Sequence, residues 1–367
     1  MPGRIITLLF AVLVGGCKYP ANCSMQDLAC NAWIALLYVR VSTWPDTQQA
    51  QCYDAVGARM SCAGSGQDGA YINQPGPYSL RLIDSGSVVA QDVREDLFWL
   101  RCSDPQSPPS CTGTATSTVT RTQALNYCNN LSFTGRQWRL PSAREMALLP
   151  VYDVSVPNMN TENFPNHPIG ANAYYWTSTI ITNTPTNSLL MDLRKGFFAS
   201  QSNAIATNTY VRCVAGNSSA APASSFTVAT VNGSNIVNDS STGLSWMQCV
   251  LKAGGVADNT SNCAGPSPAN IDHANAISYC EGMNYAGFSD WRLPSIRELN
   301  SIVDATQATS PVIDTTAFVG SPTGTYWTST IDVAGPLDAF TVDFADGSSG
   351  IINRTAVIGD VRCVRGP

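Results

Sequence analysis

The chain repeats itself. Trp99-Leu100-Arg101-Cys102 aligns with Trp246-Met247-Gln248-Cys249, and Ala124-Leu125-Asn126-Tyr127-Cys128 with Ala276-Ile277-Ser278-Tyr279-Cys280. Trp138 to Ser142 aligns with Trp291 to Ser295, Tyr175 to Thr179 with Tyr326 to Thr330, and Val211 to Val214 with Val361 to Val364. A period near 150 residues is far longer than any solenoid unit, so each copy is a complete domain with its own core. A length of 367 residues, 44% of them hydrophobic, is enough for two such cores. Residues 67–214 therefore read as module one and residues 226–367 as module two. Residues 215–225 between them, rich in Ala, Ser, Pro and Asn, read as a linker.

The N-terminus has a different character. Arg4 is followed by an apolar run from Ile5 to Val14 and by Val14-Gly15-Gly16-Cys17. That run is too short to span a bilayer, which takes about 20 apolar residues. The pattern resembles bacterial lipoprotein signal peptides, with residues 1–16 removed and Cys17 carrying lipid. By the same resemblance Lys18 is not the aspartate associated with inner-membrane retention. The expected location is exported, lipid-anchored, at the outer membrane or cell surface.

Thirteen cysteines are an odd number, and lipidation of Cys17 leaves an even twelve in an oxidising compartment. Metal ligation needs close C-x-x-C pairs or histidines, and the chain offers only His167 and His273. Four cysteines recur in each copy. Pairing the neighbours first joins Cys102 to Cys111 and Cys249 to Cys263, which leaves Cys128 for Cys213 and Cys280 for Cys363. In the Cys-rich segment and hairpin of residues 17–66, local bridges Cys23 to Cys30 and Cys52 to Cys62 complete the set most simply.

Within a module, Ala274, Ile277 and Cys280 have helical spacing. A second helix follows W-R-L-P-S, where Ser142 with Glu145, and Ser295 with Glu298, form an S-x-x-E capping box. The pattern then changes to strands at Tyr326–Thr330, Phe340–Phe344 and Ile351–Ile352, with an Asp346-Gly347 turn and a closing strand over Asp360–Arg365. Two short helices on small antiparallel sheets, stapled end to end, make an α+β module.

The Asp290-Trp291-Arg292-Leu293-Pro294-Ser295 stretch continuing to Glu298-Leu299, the Y-W-T-S-T segments and the final V-R-C-V resemble the Lcl C-terminal domain family, named from a collagen-like bacterial adhesin. The resemblance covers both modules and reaches the Cys52–Cys62 hairpin with Gly66-Gln67-Asp68-Gly69. It implies a C-type-lectin-like fold in each module and a surface-exposed binding role, with glycans as ligands of the adhesin. Module one departs from the pattern at Gln137, where the family has aspartate, and at Met146, where it has leucine.

Charge narrows the ligand. A net charge of −6 leaves no basic footprint for nucleic acid. From Phe226 onward there are six Lys and Arg against thirteen Asp and Glu, whereas Leu80 to Cys213 has ten against nine, so sulfated polyanions suit module two poorly.

Catalysis needs a nucleophile with a base, a carboxylate pair or a metal, and none recurs in both copies, so no enzyme activity is expected. The two histidines occupy different places in the repeat. Cysteines that pair offer no thiolate. Gly64 to Gly69 matches G-x-G-x-x-G, but it lies in a cysteine hairpin with no flanking strand and helix, so it reads as a turn. Trp176 and Trp327 read as core rather than sugar-stacking platforms. Arg139, Arg292, Glu145 and Glu298 read as fixing the helix start.

Ligand is expected at segments that differ between copies. These are Ile180–Ser188 with Arg194–Thr207, and Ile331–Asp338 with Ala345–Thr355. Arg194, Lys195, Asp346, Ser348 and Asn353 are the candidate contacts. Asp343 and Asp346 are candidate calcium ligands, though Asp192 and Lys195 stand at the matching places of module one; no other cofactor is expected. The expected partners are a glycan or protein on a host, matrix or neighbouring cell surface, with the membrane reached through the N-terminal lipid. The rival expectation is a structural envelope protein that self-associates into a homo-oligomer.

Overall fold

Among the described residues, four helices start where a side chain is ready to satisfy their first free N–H groups. Helix α1 (Arg121–Asn130) is capped by Thr120 with Gln123 and α2 (Ala143–Met146) by Ser142 with Glu145, both as reciprocal boxes. Helix α3 (His273–Glu281) is capped by Asp272, and α4 (Ile296–Ser301) by Ser295 with Glu298. The inward face of α3 is His273, Ala276, Ile277 and Cys280, so Ala274, counted inward from spacing, is instead exposed. His273 takes the inward place because its ring bonds the Thr328 carbonyl.

The computed structural model describes residues 46–71, 80–83, 88–92, 95–103, 111–112, 118–153, 159–165, 167–168, 173–207, 209–216, 226–252, 254–258, 262–263 and 271–366. The expected signal peptide, the expected lipidation at Cys17 and the expected Cys23–Cys30 bridge fall outside these residues.

Module one has two sheets. One joins β3 (Leu80–Ile83), β4 (Val89–Asp92), β5 (Leu97–Leu100), β6 (Ser132–Phe133), β7 (Arg136–Arg139) and β12 (Val214–Ala215) in the order β3-β4-β5-β12-β7-β6. The other joins β8 (Tyr174–Ile180), β9 (Asn187–Asp192), β10 (Phe197–Ser202) and β11 (Thr209–Tyr210) in the order β10-β9-β8-β11. All these pairings are antiparallel except β8 with β11. Module two repeats the plan. One sheet is β13 (Phe226–Val231), β14 (Ser234–Asp239), β15 (Ser245–Met247) and β19 (Val364–Arg365), and the other is β16 (Thr325–Ile331), β17 (Asp338–Asp343) and β18 (Ser349–Asn353).

The fold is α+β and disulfide-rich. Five bridges close among the described residues: Cys52–Cys62, Cys102–Cys111, Cys128–Cys213, Cys249–Cys263 and Cys280–Cys363. Each long bridge ties the first helix of its module to the last segment.

That last segment is not one strand over Asp360–Arg365, as alternation suggests. Asp360 bonds Thr325 and Trp327 on one side, Val361 and Cys363 bond Leu251 and Met247 on another, and only Val364–Arg365 joins a ladder. The cause is Arg362, turned inward to donate to the Met247 and Gln248 carbonyls and to Ser321 Oγ. Arg212 does the same in module one, donating to the Leu100 and Arg101 carbonyls and to Ser103 Oγ.

Tryptophans fill the cores. Trp99, Trp176, Trp246 and Trp327 are fully buried. Trp176 Nε1 donates to Val119 O and Trp327 Nε1 to Ile271 O, so both indoles act as core pillars.

Candidate functional site

The W-R-L-P-S corner is the first fixed point of each module. Arg139 forks onto Glu145 at 2.8 and 2.5 Å, and Arg292 onto Glu298 at 2.7 and 2.6 Å. Each glutamate also accepts from its own N-cap residue, Ser142 N or Ser295 N, at 2.8 Å. Burial alone would raise the Glu298 carboxyl, but the Arg292 charge and hydrogen bonds from Arg292 and Ser295 outweigh it and hold it below its ordinary value. These four residues fix the start of the second helix and are spent internally.

The next position of that helix does something different. Arg144 leaves its own module and donates to Ser301 O (3.1 Å) and Ser241 Oγ (3.2 Å). Arg297 crosses the other way to the carbonyls of Leu148 (3.1 Å), Pro150 and Asp46. Behind these arginines the modules exchange side chains. Tyr152 of module one packs into the core of module two, edge-on to Phe340 with ring centres 5.1 Å apart, while Ala305 of module two sits in the core of module one. Phe198 N donates to Ser349 Oγ at 2.7 Å, so β10 lies against β18.

A strap formed by residues 46–71 closes one side of this seam. Its hairpin, β1 (Cys52–Tyr53) with β2 (Arg59–Met60), is held by Cys52–Cys62, and Asp68–Ala70 forms a single 3-10 turn. Gln49 donates to the Tyr152 and Ile331 carbonyls and accepts from Ile331 N, bridging the two modules. Asp68 Oδ2 accepts from Thr330 Oγ1 and, at 2.8 Å, from Thr47 Oγ1. Burial, then the neighbouring Asp46 charge, push the Asp68 carboxyl up to about 7 against the pull of these two hydroxyls. The family resemblance seen at Gly66–Gly69 thus falls on a segment that packs against module two.

Four of the five candidate ligand residues occupy two equivalent hairpin turns beside the seam, and Asn353 ends β18. Arg194 and Lys195 are half-buried, and their N–H groups both bond Asp192 Oδ1. Asp346 and Ser348 are half-buried and bonded to each other, with Ser348 N donating to Asp346 Oδ1. Asp343 Oδ1 accepts from Ala345 N, so this carboxylate and that of Asp346 each cap a local turn. Asn353 is exposed and accepts from Thr355. Exposed residues lie on the same variable segments at Thr182, Thr184–Thr186, Ser202, Ala204 and Thr207 in module one and at Ala334, Leu337, Asn353 and Thr355 in module two.

Both histidines are buried. Desolvation, and then the Arg354 charge, push His273 down to about 3. Desolvation, and then Arg212, do the same to His167.

Sequence reasoning passes over Arg144, Arg297, Gln49 and Asp68. One signal was available for the first two, since both are arginine at the same position of the stretch Trp-Arg-Leu-Pro-Ser-x-Arg-Glu that the two copies share. Nothing linear distinguishes Gln49 or Asp68 from turn residues.

No curated protein and no solved structure matches this chain. Residues 88–215 and 235–365 each match the Lcl C-terminal domain, together well over half the chain. Both matches span a tryptophan–arginine–proline corner, a long disulfide and an inward-turned final arginine, and the chain therefore belongs to the Lcl C-terminal domain family, in two tandem copies.

Proposed function

We propose that this is an exported, lipid-anchored surface protein whose two modules, each of C-type-lectin-like fold, bind a glycan or a protein ligand through their variable loops. One observation carries the reading. Most of the charged and aromatic residues shared by the two copies are buried or half-buried, whereas much of the sequence that differs is open to solvent in the loops of each module. Rigid scaffolds with variable exposed loops are the usual carriers of recognition.

Export is supported by the five disulfides, which persist in oxidising compartments. Membership of this family is in keeping with a surface-associated protein. The lectin-like assignment draws on the bridge from first helix to last segment, with two short helices on antiparallel sheets. Binding rather than catalysis is supported by the histidines, since a ring pushed to about 3 is a weak base.

A structural, self-associating envelope role is the second reading, favoured by the fact that one module already packs on another of its kind, exchanging Tyr152 and Ala305. The test is a glycan-array and matrix-protein screen with the chain from residue 18 onward, with and without calcium. Saturable binding that falls when Arg194, Lys195, Asp346, Ser348 and Asn353 are replaced together supports the loop reading. Stable oligomers without binding to any arrayed ligand replace it with the structural one, and calcium dependence lost on Asp343→Asn with Asp346→Asn would add a metal to the site.

A further inference from the structure

The two modules carry the same strand edge, and only one of them is covered. In module two the strap lies over the end of β16. Asp68 takes the Thr330 hydroxyl, the Gln49 carboxamide pairs with both polar groups of the Ile331 peptide, and the Tyr71 ring sits 5.2 Å from the Arg292 guanidinium. Ile331 is 0% exposed, and the Arg292 side chain 6%.

In module one the equivalent strand end is Ser178-Thr179-Ile180. Its construction is identical. Thr179 Oγ1 caps Ala143 N as Thr330 Oγ1 caps Ile296 N, and Ser178 N bonds Pro141 O as Ser329 N bonds Pro294 O. Ile180 pairs with Ser188 in the register in which Ile331 pairs with Ala339, and each pair is followed by the same ladder bond, Ile181 N to Asn187 O or Asp332 N to Asp338 O. The outward groups of Ile180 therefore point where those of Ile331 point. Among the described residues nothing covers them as the strap covers module two. Ile180 is 37% exposed, the Arg139 side chain 26%, and Ser178 and Thr179 are half-buried where Ser329 and Thr330 are buried.

Charge says what would fit. Arg121 donates to Ser178 O at 2.8 Å, and Arg139, ion-paired to Glu145, stands at the place that Arg292 holds in module two, so the open edge carries a guanidinium on each side. A carboxylate laid on Thr179 would take its hydroxyl, as Asp68 takes that of Thr330, with the Arg121 charge close by.

We propose that the Ser178–Ile180 edge of module one docks an extended acidic segment of a partner protein, which sets a carboxylate on Thr179 and a side-chain amide on the Ile180 peptide group, as the strap does on module two. This deepens the binding reading by naming a peptide as the ligand class at one edge, where the first variable segment of module one begins. The segment would meet the strand edge with its side chains rather than its backbone, so its sequence sets both affinity and specificity.

The probe is a synthetic peptide of residues 46–71 with its Cys52–Cys62 bridge closed, titrated by fluorescence anisotropy into the intact chain. One saturable site per chain is expected, weakened at least tenfold by Ile180→Asp in the protein or by Asp68→Asn in the peptide, and weakened by added salt. Because Ile180 is partly exposed, Ile180→Asp tests the edge without opening a core; melting of the variant checks that it is folded. Thr330→Val should leave the affinity unchanged. Absence of saturable binding, or binding lost in Thr330→Val but kept in Ile180→Asp, overturns the proposal, the latter because the peptide would then be displacing the native strap. The glycan screen reads the loops separately, so a negative result there sinks the lectin reading and leaves this edge to stand or fall on the titration.

Discussion

Arg144 and Arg297 hold the same position in the two copies, and each donates to the other module at an equivalent carbonyl, Ser301 for Arg144 and Leu148 for Arg297, both at 3.1 Å. The two arginines stand 153 positions apart, and so do Leu148 and Ser301. Tyr152 and Ala305, which exchange cores, are also 153 apart, while Phe198 and Ser349, which touch each other, are equivalent residues of the aligned hairpins. Residue i meeting j while the copy of j meets the copy of i is the signature of a two-fold face. The chain is a dimer-like pair of modules written in one polypeptide, and the strap breaks its symmetry.

The two arginines are not equally exposed to loss. Arg297 is fully buried, with three carbonyls among its acceptors, whereas Arg144 is only half-buried, with a carbonyl and a hydroxyl among its own. Removing a buried donor strands its acceptors, at about 1–3 kcal/mol each when no water replaces it. Arg297→Ala is therefore expected to cost roughly 3 kcal/mol or more and Arg144→Ala about 1 kcal/mol, read by urea unfolding. Arg297→Lys should rescue little, because an ammonium cannot span the fork. Equal losses from the two alanine variants would mean that the seam is held by packing alone.

Much of the module was legible and the seam was not, for a physical reason. Capping boxes, cysteine pairs and alternating strands are local or repeated patterns, so Ser142 with Glu145 and Cys280 with Cys363 could be read from spacing. The Asp360–Arg365 segment misled because alternation reports which side chains point inward, not whether the backbone joins a single ladder. Arg144 and Arg297 look like exposed helix residues in any one copy. Their role needs the second copy in space, and a linear repeat says nothing about which faces meet. The candidate ligand residues at 194–195 and 346–348 were chosen for differing between copies, a difference that the two halves of a shared face also show.

Asp68 makes the strap respond to pH. Its carboxyl is raised from 3.8 to about 7 by burial first and by Asp46 second, with Glu298 adding a smaller push and Thr330 and Thr47 opposing. A group whose folded value lies above its unfolded value contributes stability that is full below the unfolded value and lost as pH rises through the folded one. Asp46, raised by burial despite Arg297, acts in the same sense. Stability is expected to fall between about pH 4 and pH 7, and Asp68→Asn should flatten that slope in melting curves taken across the range. A slope unchanged in Asp68→Asn would assign it to other groups.

Gly196 and Gly347 test the hairpin turns at the seam. Both have left-handed backbones, at φ of 82° and 81°. A β-carbon on Gly196 would lie 2.8 Å from the Tyr152 ring, and one on Gly347 2.8 Å from Val303 Cγ1. Strain and overlap add, so Ala at either site should cost about 2 kcal/mol, more than the ~1 kcal/mol of conformation alone. Gly233, also left-handed but with open space around its β-carbon site, is the control, and its Ala variant should show the conformational cost only. Equal melting shifts at all three would remove the packing part of the argument.

The long disulfides should matter more than the short ones, in both modules alike. Cys280–Cys363 and Cys128–Cys213 close segments of 83 and 85 residues, against 9 for Cys102–Cys111 and 14 for Cys249–Cys263. In the chain-entropy account a loop of that larger size contributes about 4–5 kcal/mol and the shortest about 2.5 kcal/mol. Domain stabilities are themselves only about 5–15 kcal/mol, so Cys280→Ala with Cys363→Ala should bring module two close to unfolding at 37 °C. Cys102→Ala with Cys111→Ala should leave a folded protein with a lower melting point. Because the modules trade Tyr152 and Ala305 across their seam, loss of the long bridge in one should also lower protection of the other in hydrogen exchange. Exchange confined to the mutated module would show that the shared face does not couple their stabilities.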